Sequence, residues 1–247
     1  MKIGLLADVH YCTKETVCNG TRFPQLAMQR TKEAVRYFTE NKADLIVCLG
    51  DLINVDDTQD MNIENLKVAA KALSDTDIPV VCLMGNHDCE AFTREEFETI
   101  SGLKTAPHDF DAGEYALHFL DANYTDNGEK YVPFQIDWKN SFLPQKELNL
   151  IKESVQDKAH RQIYLVHQCL DPFSEINHMI RNATAARALI EQANSPIVLQ
   201  GHYHKGRQNT HAGVQYLTLP AICSGPVSSA LLRDTDDIPA LGLPGKD

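Results

Sequence analysis

Short apolar runs along the chain alternate with longer stretches in which apolar residues recur at helical spacing. The short runs are rich in valine, isoleucine and leucine, a pattern typical of strands that are buried on both faces. The alternation of the two patterns predicts an α/β fold in which sheet and helices form layers. Strands are predicted at Lys2–Ala7, Asp44–Leu49, Pro79–Met84, Tyr115–Leu120, Gln162–Val166, Pro196–Leu199 and Val214–Leu217.

Amphipathic helices are predicted between these strands. Apolar stripes follow Pro24 and Pro144, and proline is tolerated in the first turn of a helix, where its missing N–H group has no intrahelical partner. Two further stripes lie within residues 63–73 and 183–193. Because each stripe covers one helical face, these helices are expected to pack on the sheet and to carry no chemistry of their own.

The domain organisation predicted from the sequence is simple. The chain of 247 residues shows neither an internal repeat nor a linker, so we predict a single domain over residues 1–222. Within it, residues 104–143 form an insertion that is dense in aromatic residues and contains several turn signals. Residues 223–247 lack periodicity and are expected to form a poorly patterned tail.

Composition narrows the classes of function. A net charge of -11 argues against a nucleic-acid backbone as the main partner, because such binders usually carry a basic face. No apolar stretch is long enough to span a membrane, and Met1 leads directly into a strand pattern instead of a signal peptide. The seven cysteines are odd in number and form no CxxC pair, which indicates a reducing compartment. A cytoplasmic protein with neither a membrane nor a nucleic-acid partner is therefore expected.

Potential metal ligands directly follow several of the predicted strands. In α/β sheets, binding sites form at the carboxyl ends of strands, so these side chains are expected to meet. In an extended segment, residues i and i+2 point the same way, which aims Asp8 with His10 and His202 with His204. The ligand-bearing segments are Asp8-Val9-His10, Gly50-Asp51, Gly85-Asn86-His87-Asp88, His167 and Gly201-His202-Tyr203-His204.

Each of these segments also has a purely structural interpretation. An Asp-x-His pair often lies on a surface, a Gly-Asp dipeptide is usually a turn, and a single histidine such as His167 is usually a hydrogen-bonded core residue. These interpretations would have to hold independently for every segment in this order, so a metal cluster is favoured. Carboxylate, amide and imidazole ligands without thiolate suit Mn, Fe or Zn. Two such ions can lower the pKa of a shared water and clamp both reacting oxygens of a phosphate.

The ordered motifs resemble those of calcineurin-like metallophosphoesterases from Met1 to about Pro220. The resemblance implies a two-sheet β-sandwich flanked by helices, in four layers α/β/β/α. It also implies that Asp51 bridges two divalent metal ions and that His87 lies beside them as a catalytic residue that does not bind metal. Under this resemblance Asp8, His10, Asp51 and His204 hold the first metal, and Asp51, Asn86, His167 and His202 hold the second.

Within that family the pattern is nearest to the group of manganese-dependent ADP-ribose/CDP-alcohol diphosphatases. The segments that carry this likeness include Gly20-Thr21-Arg22 and Leu120–Tyr124. Protein Ser/Thr phosphatases are disfavoured, because they carry arginines within the Gly-Asp and Asn-His motifs and this chain has none there. They also have an aspartate three residues after the bridging one. This chain has Asn54, which can orient the catalytic histidine but supplies no charge.

The sequence thus predicts a hydrolase in which a metal-bound hydroxide cleaves a phosphodiester or a nucleoside diphosphate-type pyrophosphate. Two alternatives stay open: a phosphomonoesterase of broad specificity, and an interaction module that kept the fold and lost catalysis. The substrate is expected to be small, phosphate-containing and nucleotide-like, because the aromatic rings of residues 104–143 can stack on a base. Arg22, Asn123 and Tyr124 are candidate substrate contacts, with Arg22 as a bidentate partner for a second phosphate.

Overall fold

The computed structural model describes residues 1–106, 112–224 and 229–233. None of the helices in this part of the chain is long and apolar enough to cross a membrane. The strands are β1 (Lys2–Leu6), β2 (Leu45–Cys48), β3 (Val80–Cys82), β4 (Tyr115–Phe119), β5 (Arg161–Val166), β6 (Ile197–Gln200), β7 (Arg207–His211), β8 (Val214–Thr218) and β9 (Ser229–Arg233). The helices are α1 (Pro24–Glu40), α2 (Gln59–Leu73), α3 (Asn86–Ala91), α4 (Arg94–Ser101), α5 (Gln145–Ser154), α6 (Ala183–Ile190) and a 3₁₀ helix at Ile176–His178.

Two sheets form the centre of the fold. The first has the strand order β3-β2-β1-β9, in which β1, β2 and β3 are parallel and β9 is antiparallel to β1. The second has the order β4-β5-β6-β8-β7 and is parallel except for β7, which pairs antiparallel with β8. Because most strands within each sheet run parallel, their carboxyl ends gather along one edge of that sheet.

Apolar side chains pack in three clusters between four layers. One cluster lies between the two sheets and includes Leu5 of β1 and Leu199 of β6. Another joins the outer face of the first sheet to α1, α2 and α4, and includes Phe38 and Phe97. The third joins the outer face of the second sheet to α5 and α6. The predicted four-layer α/β/β/α sandwich is therefore confirmed.

The predicted strands all form, and their ends differ from the prediction by at most about two residues, which is the usual uncertainty of a strand boundary. Strand β7 lies outside the prediction because it is an exposed edge strand of polar residues, and no apolar run marks it. Helices α3 and α4 are too short for a periodic stripe and were also outside the prediction. Pro144 is the N-cap of α5, one position before its expected place in the first turn.

Part of the segment after residue 222 forms a β-strand. Ser229–Arg233 form β9, which pairs with β1 at the edge of the first sheet. Ala230 and Leu232 pack in the cluster between the sheets. The expectation of a tail for residues 223–247 is therefore wrong for this stretch, because two alternate apolar side chains suffice for a short edge strand and give no clear periodicity. Residues 234–247 lie outside the described residues, as does Phe110 of the aromatic-rich segment.

Candidate metal centre

The candidate ligands come together at one edge of the sandwich, where strands of both sheets end. Three strands of the first sheet and two of the second contribute to this group. The residues are buried except for His204, whose side chain is 25% exposed. They are Asp8 and His10 after β1, Asp51 after β2, Asn86 after β3, His167 after β5, and His202 and His204 after β6.

Asp51 lies at the centre of this group. Its Oδ2 atom is 3.4 Å from Nε2 of His10 and 3.3 Å from Nε2 of His167. Its Oδ1 atom accepts a hydrogen bond of 2.8 Å from the backbone N–H of His87. Two groups of possible metal donors share this residue, one with His10 and His87 and the other with His167 and His202. A carboxylate that belongs to two donor groups is in the position that a bridging ligand requires.

The first donor group, formed by Asp8, His10 and His204, faces Asp51 from one side. Nε2 of His10 is 3.1 Å from Nε2 of His204, and Oδ1 of Asp8 is 3.8 Å and 3.6 Å from these two nitrogens. Imidazole nitrogens and carboxylate oxygens therefore point into the same small space. Donor atoms bound to one metal at about 2.1 Å lie between about 3 and 4.2 Å apart, depending on the angle at the metal, so the spacing fits a metal ion.

The second donor group, formed by Asn86, His167 and His202, lies on the other side of Asp51. Nδ1 of His167 donates to the carbonyl oxygen of Leu49 at 2.7 Å, so Nε2 is the ring nitrogen that faces Asp51 and is available to a metal ion. The same Nε2 atom is 3.3 Å from Oδ1 of Asn86. Nε2 of His202 is buried and has no hydrogen-bond partner among the described residues. A buried nitrogen without a partner is costly, and a metal ion at this position would satisfy it.

The charges of the site also fit a cation. Burial raises the pKa of Asp8 to about 7. Burial also raises the pKa of Asp51. The nearby His167, His87 and His10 have a larger, opposite effect and hold the pKa of Asp51 well below its usual value. Burial lowers the pKa of His167, yet the charge of Asp51 prevails and raises it to about 10. Without a metal, a protonated histidine thus balances the buried carboxylate, and a metal cation can take over this role.

Several of the candidate ligands have a strained backbone. The φ angles are 56° at Asp8, 48° at His10, 53° at Asp51 and 65° at His202, in the left-handed region that residues other than glycine seldom adopt. Each such residue costs about 1 to 3 kcal/mol. Hydrogen bonds hold the backbone there, since the N–H groups of Asp8 and His10 donate to the carbonyls of Gly50 and Asp51. Strain that is concentrated at these positions favours a functional role for them.

Glycines before the ligands permit the loops to approach closely. A Cβ atom at Gly85 would collide with the side chain and the backbone nitrogen of Asp51. Gly50 has a φ angle of 101°, and a Cβ atom there would lie 2.5 Å from Nδ1 of His167. Side chains at these positions would push the ligand loops apart, which is the physical reason for glycine in the Gly-Asp and Gly-Asn-His motifs.

Asp88, the last residue of the Gly-Asn-His-Asp motif, ties two ligand loops together. Its carboxylate is fully buried and accepts hydrogen bonds from the N–H groups of Leu52, Ile53 and Gly85 at 2.9 to 3.2 Å. Two of these groups follow Asp51 directly, and the third lies at the start of α3. The motif spacing alone assigns no role to Asp88, whereas the structure shows that it holds the ligand loops in place.

Replacing Asp88 with alanine is expected to destabilise the protein by about 3 kcal/mol or more, because the buried N–H groups would lose their acceptor. The measurement is the free energy of unfolding in urea, made on metal-stripped protein so that metal binding does not contribute. Asp75→Ala, at an exposed carboxylate, is the control and should change the stability by less than about 0.5 kcal/mol. Equal effects of the two substitutions would contradict the structural role of Asp88.

Arg22 connects the predicted catalytic histidine with the first donor group. Its Nη1 atom is 3.3 Å from Nε2 of His87, 3.2 Å from Nδ1 of His10 and 2.9 Å from Oδ1 of Asn54. Nη1 has two N–H groups and Asn54 is its closest acceptor, so at most one of the two imidazoles accepts a hydrogen bond from it. Asn54 therefore contacts Arg22, and it acts on His87 through the arginine rather than directly.

A cleft of about 380 Å³ lies beside the ligands. One wall carries Trp138, the only tryptophan of the chain, and His178 from the 3₁₀ helix. The Trp138 ring centre is 5.6 Å from that of His202 and 5.4 Å from that of His178. Trp138 belongs to the aromatic-rich residues 104–143, from which the sequence predicts substrate contacts. No sequence pattern predicts that His178 lines the cleft. Other residues that line the cleft are Cys18, Arg22, His87, Glu90 and Ile136.

Asn123 and Tyr124 are not among the residues that line this cleft, whereas the sequence predicts that they face the substrate. The Asn123 side chain donates to the carbonyl oxygen of Met84 and accepts from Nε2 of Gln168, both at 2.8 Å. Tyr124 is buried, and the ammonium group of Lys146 lies 5.0 Å from its ring centre. A buried amide must satisfy its hydrogen bonds, and Asn123 does so by joining the segment after β4 to neighbouring loops.

Comparison with known proteins places this geometry in a family. The family model described as calcineurin-like phosphoesterase matches residues 1–206. A Psychrobacter arcticus protein described as "Probable cyclic nucleotide phosphodiesterase" is 25% identical over 195 residues, which are 74% of this chain but only 65%, less than two thirds, of that protein. The crystal structure of a dimetal phosphatase from Danio rerio has a TM-score of 0.80 at 18% identity and covers 96% of this chain and 93% of its own. The chain belongs to the calcineurin-like phosphoesterase family.

Proposed function

We propose that the protein is a phosphoesterase that uses two divalent metal ions, Mn, Fe or Zn, to hydrolyse a phosphodiester or a nucleoside diphosphate-type pyrophosphate. The observation that carries this proposal is the position of Asp51 between two donor groups, with Oδ2 at 3.4 Å from His10 and 3.3 Å from His167. Two bound ions would lower the pKa of a shared water and would stabilise both the attacking and the leaving oxygen of the phosphate.

Residues of the cleft bind and orient the phosphate next to these ions. Arg22 lies between His10 and His87, and its guanidinium group can bind two oxygens of a phosphate at once. Asn54 holds the arginine in this position at 2.9 Å. The His87 ring is centred 4.6 Å from that of His10 and lines the same cleft, so it can interact with a phosphate that the ions and Arg22 hold.

The cleft wall favours a substrate with an organic group beyond the scissile phosphate. Trp138 and Ile136 give this wall an apolar surface beside the second donor group, and a tryptophan ring can stack on a nucleobase. The sequence pattern is nearest to diphosphatases of nucleotide-like substrates, and the description of the Psychrobacter relative is "Probable cyclic nucleotide phosphodiesterase". Both likenesses support a small, phosphate-containing substrate of the nucleotide type.

Trp138→Ala is expected to lower kcat/KM for a nucleotide-type diester by about ten- to one-hundredfold, since stacking on a base is worth about 1–3 kcal/mol. The measurement compares thymidine 5′-(p-nitrophenyl phosphate) with methyl p-nitrophenyl phosphate, in the presence of Mn²⁺. These two diesters share the leaving group and the cleaved bond and differ in the nucleoside. The methyl ester should therefore be affected by less than about threefold, because it has no base to stack.

Phe134→Ala provides the matched control for this experiment. Phe134 belongs to the same segment, is 65% exposed and does not line the cleft, so its removal should affect both substrates equally. An equal loss for the two substrates in Trp138→Ala would mean that the ring has no part in substrate selection.

The two alternative functions make different predictions in the same assays. A phosphomonoesterase of broad specificity would show its highest kcat/KM with small monoesters such as p-nitrophenyl phosphate. An interaction module without catalysis would show no turnover of any nitrophenyl ester, even when elemental analysis finds bound metal. A preference for the thymidine diester over both simpler compounds would support the proposed function.

A further inference from the structure

Cys223 brings a sulfur atom next to the first donor group. One ring nitrogen each of His10 and His204 and the Cys223 sulfur all lie within 4.8 Å of one another. The cysteine is completely buried, so its thiol faces the protein interior and not solvent. Neither the motif pattern nor the family resemblance assigns a role to this residue, and the donor set predicted from the sequence contains no thiolate.

Backbone hydrogen bonds fix the position of Cys223 beside the loop that carries the first ligands. The N–H group of Cys223 donates to the carbonyl of Asp8 at 3.3 Å, and that of Ile222 donates to the carbonyl of Ala7 at 3.0 Å. The carbonyl of Cys223 accepts from the N–H group of Phe23 at 3.0 Å. The segment after β8 thus runs alongside the end of β1 and holds the cysteine opposite Asp8.

The two histidines of this group keep their Nε2 atoms for a shared partner. Nδ1 of His204 is 3.4 Å from Oγ of Ser224, and that hydroxyl is 3.3 Å from the Cys223 sulfur. Nδ1 of His10 lies 3.2 Å from Nη1 of Arg22. The Nε2 atoms of the two rings face each other at 3.1 Å in the space that Asp8 also borders.

We propose that Cys223 is a further ligand of the first metal position, in addition to Asp8, His10, Asp51 and His204. Ligation forms one metal–sulfur bond and releases the thiol proton to solvent. The second position has only oxygen and nitrogen donors, so the two positions differ in chemistry. Thiolate favours zinc over manganese, and the first position is therefore selective for zinc-like ions while the second also accepts manganese. This inference rests on the proposed metal-dependent function.

X-ray absorption spectroscopy of the full-length protein loaded with zinc tests the inference directly. Zinc–sulfur bonds are about 2.3 Å long, whereas bonds to nitrogen and oxygen are about 2.0–2.2 Å, so the two shells can be separated. With both positions filled, the wild-type protein is expected to show about one sulfur for two zinc ions. Cys223→Ser should remove the sulfur shell and lower the preference of the first position for zinc over manganese by about tenfold or more.

Two other cysteines supply matched controls. Cys169 is also buried, with its thiol 3.6 Å from the carbonyl oxygen of Gly201, and Cys18 is the exposed thiol that lines the cleft. The sulfur shell should persist in both Cys169→Ser and Cys18→Ser. Its loss in either control, or its persistence in Cys223→Ser, would assign the sulfur to another residue and overturn the inference.

The wild-type spectrum alone also decides the matter if Cys223→Ser fails to fold. A wild-type protein that binds two zinc ions through nitrogen and oxygen alone would overturn the role of Cys223 and leave the proposed dinuclear function standing. A protein that binds no metal at all would refute both the inference and the function on which it rests.

Discussion

Replacing Asp51 with asparagine is expected to reduce the bound metal sharply and to lower kcat/KM by about three orders of magnitude or more. Loss of the charge between two cations removes several kcal/mol of electrostatic stabilisation, and each loss of about 1.4 kcal/mol corresponds to about tenfold in rate. Because Asp51 lies between the two donor groups and contacts a histidine of each, the substitution weakens both metal positions and not just one. Elemental analysis and kcat/KM for a nitrophenyl phosphodiester measure the two effects.

The fold should tolerate this substitution. An asparagine can keep the Oδ1 acceptor for the backbone N–H of His87, while its NH₂ group replaces Oδ2 beside His10 and His167. Asparagine also tolerates the left-handed backbone at this position, where φ is 53°. The circular dichroism spectrum should therefore match that of the wild type.

A second buried carboxylate outside the donor groups serves as the control for Asp51→Asn. Asp171 is fully buried, and its carboxylate accepts a hydrogen bond of 2.6 Å from Nδ2 of Asn209. Asp171→Asn should keep both metals and most of the activity. If Asp51→Asn also retained two metals and a normal rate, Asp51 could not be the bridging ligand.

His87→Ala is expected to keep the metals and to lose about 10²- to 10⁴-fold in kcat, the range typical of a residue that assists proton transfer. The backbone N–H of residue 87 donates to Asp51, and this bond does not depend on the side chain. Metal binding should therefore survive, whereas the imidazole that lines the cleft is lost. Metal content and kcat with Mn²⁺ are the measurements.

The dependence on the leaving group distinguishes two roles for His87. Burial lowers the pKa of His87 to about 4, and Arg22 acts in the same direction, so the imidazole of the free protein is neutral near pH 7. A neutral imidazole can stabilise charge through a hydrogen bond, but it protonates a leaving oxygen only when the bound phosphate raises its pKa. If His87 is a general acid, its loss should slow the cleavage of alkyl esters much more than that of nitrophenyl esters, because nitrophenolate leaves without being protonated. Equal losses for both esters in His87→Ala would indicate a purely electrostatic role.

His211→Ala is the control for this experiment, since His211 is an exposed residue of β7 outside the cleft. It should leave metal content and rate unchanged. A loss of metal in His87→Ala would instead show that His87 is a ligand. Its ring nitrogen lies close enough to donor atoms of His10 and Asp51 for that role.

Most of the fold was determined by local sequence pattern. Strands such as Leu45–Cys48 and Ile197–Gln200 are covered on both faces, by helices on one side and by the other sheet on the second, so they consist almost entirely of apolar residues. Edge strands have no such requirement. Arg207–His211 is polar and exposed, and it forms a strand only because β8 offers its backbone hydrogen bonds.

The sequence by itself also determined which motifs meet at the candidate site. Ligands such as Asp8 and Asp51 directly follow parallel strands, and parallel neighbours place their carboxyl ends at one edge, so motif order was enough to predict their meeting. The distances, the strained backbone and the hydrogen bonds of Asp88 were not readable from spacing. They depend on how the loops approach one another in three dimensions.

Only the tertiary structure decided which further residues surround the ligands. Trp138, His178 and Cys223 come from loops far apart in the sequence, and no periodicity describes the path of a loop. Asn123 shows the opposite case: it follows a strand as the ligands do, but its amide turns inward to bond Met84. Strand ends are positioned by a repeating backbone geometry that sequence patterns encode, whereas side chains on loops are positioned by contacts with distant segments that exist only in the folded chain.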